Sequence, residues 1–80
     1  MVFHLLLFGI TKDIIGSSPF ELSLMGENTA GNLIKQLTAE YPKLKDLNSI
    51  AIAVNGEYAQ NETIIEEGDE IALIPPVSGG

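Results

Sequence analysis

The chain has 80 residues, 45% of them hydrophobic, which is enough to bury the core of one small domain. Eleven acidic and four basic side chains give a formal net charge of −7 at pH 7. This charge argues against nucleic-acid binding, because phosphate neutralisation needs lysine and arginine. There is no cysteine, which excludes disulfides, thiolate zinc sites and iron–sulfur clusters.

The first 24 residues predict two strands. Residues 2–8 alternate between two sides: Phe3, Leu5 and Leu7 on one, and His4, Leu6 and Phe8 on the other. A turn cluster at residues 16–19 follows. The second alternating run places its apolar side chains at Phe20, Leu22 and Leu24. The two runs are close enough in sequence to pair as an antiparallel hairpin.

Residues 29–41 change to helical spacing. The apolar stripe of this helix consists of Ala30, Leu33, Ile34, Leu37 and Tyr41. Thr29 or Asn28 is the expected N-cap. Pro42 is expected to end the helix, because the residue before a proline is biased away from helical angles. We expect a loop from there to the next strand, carrying Leu44 and Leu47.

The remainder predicts three further strands. Residues 50–54 form a short apolar strand, the Asn55-Gly56 pair is a two-residue hairpin signal, and residues 57–59 return. A turn at 67–69 precedes the last strand, residues 70–74. One helix across one mixed sheet buries these stripes, with the first and last strands parallel at the centre. This order predicts an α+β fold of the β-grasp, or ubiquitin-like, type, with a domain over residues 1–74 and a tail over 75–80.

No catalytic site and no metal site are expected within the chain. His4 is the only histidine and is expected at the surface, and no serine stands in a nucleophile-elbow setting. The carboxylates of residues 66–70 flank a solvated turn, where nothing separates their pKa values as an acid–base pair requires. The acidic stretch 57–70 either steers the tail toward a basic partner or only aids solubility.

Membrane insertion and export are not expected. No stretch is long and uniformly apolar enough to span a bilayer. The apolar run at residues 1–8 lacks the charged leader and the cleavage site of a signal peptide. We therefore expect a cytoplasmic protein without a membrane partner.

An apolar patch is expected on the outer side of the sheet. If the last strand turns Ile71 and Leu73 toward the helix, Ile74 faces away from it. The patch would then comprise Leu6, Phe8, Ile74 and Tyr58. Such a patch usually marks a partner surface. The alternative is that these side chains pack beneath the 42–49 loop or the 60–68 segment.

The last six residues read Pro75-Pro76-Val77-Ser78-Gly79-Gly80 and predict a stiff stem with a slim tip. The prolines fix φ and disfavour helix before them, so the segment should extend for about 20 Å at roughly 3.3–3.6 Å per residue. Gly79 and Gly80 have no side chains, so a narrow channel can admit them. We expect a free carboxylate there, presented for chemistry. A frayed terminus is the alternative.

With this ending, the chain resembles the small, sulfur-carrying subunit of molybdopterin synthase. The resemblance covers the whole chain, and its most specific part is Pro-Pro-Val-x-Gly-Gly; residues 7–16 and 53–58 are also similar to that family. Two departures are Gly9 and Lys12, where the family more often has alanine and arginine. At position 12, lysine keeps the positive charge of arginine but lacks the planar guanidinium that binds a carboxylate through two hydrogen bonds.

The resemblance implies a sulfur carrier for molybdenum cofactor biosynthesis that is itself non-catalytic and binds no cofactor. An adenylating enzyme of the ubiquitin-activating type would use ATP to activate the Gly80 carboxylate, and a sulfur donor would convert it to a thiocarboxylate. The large synthase subunit, expected in a heterotetramer, would receive the tail and pass the sulfur to cyclic pyranopterin monophosphate. Gly80 and Gly79 would form the reacting end. The residues implied to contact partners are Phe8, Lys12, Tyr58, Ile74, Pro75, Pro76 and Val77.

Three other uses share this fold and ending. One is a protein modifier joined through Gly80 to lysines of other proteins, and another is the thiamine-pathway sulfur carrier. A third is a non-covalent interaction module whose glycines are incidental. The sequence leaves carrier and modifier open, because both require the same adenylated glycine.

Overall fold

The computed structural model describes residues 2–47 and 50–75. Its strands are β1 (Val2–Leu7), β2 (Phe20–Ser23), β3 (Ala51–Val54), β4 (Glu57–Tyr58) and β5 (Ile71–Ile74). Its helices are α1 (Ile10–Ile15), α2 (Ala30–Glu40) and a 3-10 helix at Pro42–Asp46. None of the helices in these ranges is long and apolar enough to cross a membrane. The predicted tail, from Pro76 onward, lies outside the described residues.

All five strands belong to one mixed sheet, in the order β2-β1-β5-β3-β4. β1 and β5 run parallel, with Leu5 opposite Ile71 and Leu7 opposite Leu73. β2 pairs antiparallel with β1, and β3 pairs antiparallel with β5. The predicted parallel pairing of the first and last strands is confirmed, and with it the β-grasp topology.

The core lies between the sheet and α2. Residues of β1, β3, β5 and α2 that are almost fully buried are Phe3, Leu5, Leu33, Leu37, Ile52, Ile71 and Leu73. Burying one side chain of this size stabilises the fold by about 1.5–3 kcal/mol. The predicted α2 stripe is confirmed: Ala30 is buried with the two leucines, and Ile34 and Tyr41 pack at the margin of the core.

α2 begins and ends at the predicted places. The Thr29 hydroxyl accepts a hydrogen bond from the Asn32 N–H at 3.2 Å, so of the two candidate N-caps Thr29 is the one that serves. At the other end the Tyr41 N–H donates to the Leu37 carbonyl at 2.8 Å, and Pro42 follows. Pro42 begins the 3-10 helix, because its fixed φ suits the first turn of a helix.

One expectation about connections was wrong, and one helix was not foreseen. The segment after Pro42 is helical rather than a loop, and its Leu44 is buried in the core at 1% exposure. The two N-terminal strands are joined by α1, which the sequence reading did not foresee. Six residues are too few for a helical period to stand out, although Thr11, Ile14 and Ile15 follow helical spacing toward the interior.

Other boundaries differ by one residue. β4 ends at Tyr58 and β5 begins at Ile71, one position inside each predicted range. The Asn55-Gly56 hairpin is confirmed, with φ of 53° and 85° at its two central residues. Positive φ at both positions is what a type I′ turn requires.

Candidate docking face and tail root

The side of the sheet opposite the core is apolar along its middle. This outer face comprises Leu6 of β1, Ala72 and Ile74 of β5, Ala51 and Ala53 of β3, and Tyr58 of β4. Strand register places Leu6, Ala72, Ala53 and Tyr58 in one row across four strands. Small alanine side chains therefore form the centre of the face, with larger side chains around them.

Two aromatic side chains stand exposed at this face. Phe8 is the residue after β1 and is 51% exposed, and extending the alternation of the strand by one residue puts it on the side of Leu6. Tyr58 is 74% exposed. The predicted orientation of β5 is confirmed, because Ile71 and Leu73 are buried while Ile74 is half-buried on the other side. These exposures exclude the alternative in which Phe8 and Tyr58 pack beneath a loop.

His4 and Glu21 form a polar margin of the outer face. They stand opposite each other on β1 and β2, with the His4 Nε2 3.4 Å from a Glu21 carboxylate oxygen. Both side chains are exposed, as predicted for His4, and an ion pair in that setting contributes little to stability.

The root of the tail lies against the turn that follows β1. A Cβ atom on Gly9 would stand 3.4 Å from the Cγ of Pro75. Gly9 has φ 55° and ψ −134°, a conformation that suits glycine. Pro75 is half-buried there, so the chain leaves β5 directly beside Phe8. Of the predicted tail residues, Pro76, Val77, Gly79 and Gly80 lie outside the described residues.

The backbone of Phe8 is held by a neighbour that sequence reasoning missed. The Phe8 N–H donates to the Thr11 hydroxyl at 3.1 Å, and that hydroxyl donates to the Phe8 carbonyl. Thr11 is fully buried. The helical spacing of Thr11 with Ile14 and Ile15 does not reveal this role, which depends on a turn that only the folded backbone shows.

Lys12 lies on α1, exposed to solvent. Within residues 2–47 and 50–75, no carboxylate lies within ion-pair distance of its amine. Lys12 therefore lies close to Phe8 along the chain, and no ion pair among these residues engages its charge.

The acidic turn before β5 is held by hydrogen bonds to the Asp69 carboxylate. The Asp69 carboxylate accepts hydrogen bonds from the Glu66 N–H at 2.8 Å and from the Asn55 side chain at 3.0 Å. Both hydrogen bonds lower the pKa of Asp69 below its ordinary value, and the bond from the Glu66 N–H contributes most. In the part of the chain that the structure describes, no three His, Asp or Glu side chains gather as a metal site.

Comparison with known proteins places the chain in a family. The family model described as "ThiS family" matches residues 5–80. The chain belongs to the ThiS family. This ThiS-family chain is 40% identical over 82 residues to the molybdopterin synthase sulfur carrier subunit of Dictyostelium discoideum, covering 98% of this chain and 95% of the relative. The family resemblance read from the sequence is thereby confirmed.

Solved structures show the same fold. SAMP1 from Haloferax volcanii matches the ThiS-family chain with a TM-score of 0.79 and 29% identity, over 100% of both chains. A chain in the complex of subunits 1 and 2 of the molybdopterin-converting factor from Helicobacter pylori matches with a TM-score of 0.64 and 32% identity, over 100% of both chains.

Proposed function

We propose that this chain is a sulfur carrier for molybdenum cofactor biosynthesis, acting as the small subunit of molybdopterin synthase. The observation that supports this most is that Pro75, at the root of the tail, lies close to Gly9, the residue that follows the exposed Phe8. A partner that covers the outer face would receive the tail in the same encounter. The relationship to sulfur carrier subunits supplies the chemistry for that tail.

The chemistry would take place at Gly80 in two stages. A carboxylate is a poor electrophile, so an adenylating enzyme would first use ATP to convert it to an acyl-adenylate, with release of pyrophosphate. A sulfur donor would then displace AMP and leave a thiocarboxylate. The thiocarboxylate sulfur is a competent nucleophile toward cyclic pyranopterin monophosphate. ATP and the sulfur donor would be used by the activating partner, and no cofactor would be bound by this chain.

Partner recognition would rest on the outer face and its neighbours. Phe8, Tyr58 and Ile74 would supply buried apolar contacts, and Lys12 would meet a partner carboxylate as a point charge. Pro75 and Pro76 would reduce the entropy lost when the tail enters the large subunit. Gly79 would keep the tail slim behind the reacting carboxylate.

Reconstitution tests the proposal. The chain is incubated with the adenylating enzyme, ATP and a sulfide source, and intact mass spectrometry should show one oxygen replaced by sulfur. Adding the large subunit and cyclic pyranopterin monophosphate should then yield molybdopterin. A variant lacking Gly80 serves as the control and should give neither signal. Absence of both signals in the wild-type chain would contradict the proposal.

A second candidate is a protein modifier, favoured by the end-to-end similarity to SAMP1, a small archaeal modifier protein. In that role the adenylated Gly80 would acylate lysine amines of other proteins. Immunoblots and peptide mapping of native cells distinguish the two uses. A ladder of conjugates through Gly80 supports the modifier, and a thiocarboxylate without conjugates supports the carrier alone.

A further inference from the structure

The Thr11 hydroxyl holds both backbone polar groups of Phe8. It accepts from the Phe8 N–H at 3.1 Å and donates to the Phe8 carbonyl. The Thr11 N–H also donates to that carbonyl, at 3.2 Å. Among the described residues that are buried, Thr11 alone has a polar side chain.

The Thr11 hydroxyl has a role in addition to packing, because it makes hydrogen bonds to the backbone of Phe8. Valine has nearly the same shape, but it would leave the Phe8 N–H without the hydroxyl that accepts from it. The Phe8 side chain is 51% exposed, so the domain provides limited packing to fix its direction. The direction of its Cα–Cβ bond, from which the ring extends, therefore depends on how firmly the backbone of Phe8 is held.

We propose that Thr11 is a positioning residue, which fixes the backbone of Phe8 and so orients its ring toward a docking partner. The inference rests on the proposed function, in which the partner is the large synthase subunit. A side chain oriented before binding loses less entropy when it enters a partner's pocket. The glycine after Phe8 makes this restraint more important, because Gly9 itself does not limit the backbone.

Three variants test the proposal. Thr11→Val removes the hydroxyl and keeps the shape, whereas Thr11→Ser keeps the hydroxyl. Thr29→Val is the matched control, since it also removes one hydroxyl that accepts a backbone N–H, at the N-terminus of α2. Affinity of each full-length chain for the purified large subunit is measured by calorimetry, at a temperature where circular dichroism shows all variants folded.

The Kd of Thr11→Val should rise about tenfold, which corresponds to about 1.4 kcal/mol. Thr11→Ser and Thr29→Val should bind like the wild type. In turnover assays with the large subunit and the thiocarboxylated carrier, Thr11→Val should raise the KM for the carrier and leave kcat unchanged, because the reacting end is not altered.

The mobility of Phe8 is also measured in the free chain, independently of binding. Hydrogen exchange of the Phe8 amide should accelerate in Thr11→Val, and the side-chain coupling constants of Phe8 should show more rotamer averaging. The Leu7 amide, which donates to the Ser18 hydroxyl at 3.1 Å, is the internal control and should not change.

Wild-type affinity in Thr11→Val would overturn the inference, and so would an equal loss of affinity in Thr29→Val. If the wild-type chain failed to bind the large subunit, the proposed function would fail. The Phe8 coupling constants would then decide the positioning role by themselves, and unchanged values in Thr11→Val would overturn it.

Discussion

At Gly9 the backbone adopts φ 55° and ψ −134°, a combination that strains any L side chain. Gly9→Ala should cost about 1–3 kcal/mol of stability. Its methyl would also come into van der Waals contact with Pro75, 3.4 Å away, at the root of the tail. Thermal melting and the rate of sulfur transfer measure the two effects.

Gly16→Ala separates strain from contact at the tail root. Gly16 has φ 97°, and a Cβ placed there meets no atom within 4 Å. It should therefore lower the melting temperature without slowing transfer. Equal transfer rates in Gly9→Ala and Gly16→Ala would contradict a role for the close approach of Gly9 and Pro75.

Phe8 permits a direct test of the docking face. Phe8→Glu should weaken binding to the large subunit by at least the roughly 1.5–3 kcal/mol of a buried apolar side chain, since an unpaired carboxylate adds a desolvation cost. Folding should change little, because Phe8 is half exposed. Calorimetry and thermal melting give the two quantities.

Met25→Glu is the matched control for Phe8→Glu. Met25 is 76% exposed and lies outside the outer face, so the same change of charge there should leave binding unchanged. Unfolding of Phe8→Glu would show that Phe8 supports the core instead of facing a partner.

At the level of elements, the first turn of α2 packs against the 60–65 segment. The Ala30 and Gly31 N–H groups donate to the carbonyls of Thr63 and Asn61, each at 3.0 Å. These carbonyls satisfy helix N–H groups that have no partner within the helix. Backbone hydrogen bonds thereby join the segment to the helix.

Gly31→Ala should destabilise the protein although alanine is the better helix former by about 1 kcal/mol. A Cβ at this position would lie 3.0 Å from the Asn61 carbonyl oxygen and 3.1 Å from the Asn61 Cβ, so the 60–65 segment would have to move. Urea unfolding measures the change. A higher free energy of unfolding in Gly31→Ala would show that the segment yields easily.

Elements with a clear period were predictable from sequence, and short ones were not. Alternation in β1 and β5 located both the core side chains and the outer face, including Ile74, because a strand has only two sides. The six residues of α1 were too few for a period to show. The structural roles of Thr11 and Gly9 were missed for a different reason: they depend on a hydrogen bond and a φ angle that composition does not encode. The assignments to Gly79 and Gly80 stay predictions.

At the scale of the whole molecule, stability should depend on pH through Asp69. Hydrogen bonds from Glu66 and Asn55 lower its pKa in the folded state below the ordinary value of 3.8. The carboxylate therefore stabilises the fold above that value, and this contribution is lost as pH falls through the lowered folded pKa. Urea unfolding at a series of acidic pH values should show the loss.

Asp69→Asn should flatten part of this pH dependence, because an amide does not titrate. Asp46→Asn removes a carboxylate on the 3-10 helix, away from this network, and should leave the acid-induced loss in place. An unchanged pH profile in Asp69→Asn would mean that other carboxylates account for acid sensitivity.

The central pairing of β1 with β5 has a consequence for how the protein is made. A ribosome produces β1 first and β5 last, and the pair Leu5 and Ile71 closes a loop of most of the chain. Contacts this distant in sequence form late and slow folding. The apolar face needs residues from both ends of that loop, since Leu6 of β1 lies opposite Ala72 of β5. A partner that docks on that face would therefore recognise the chain only after β1 and β5 have paired.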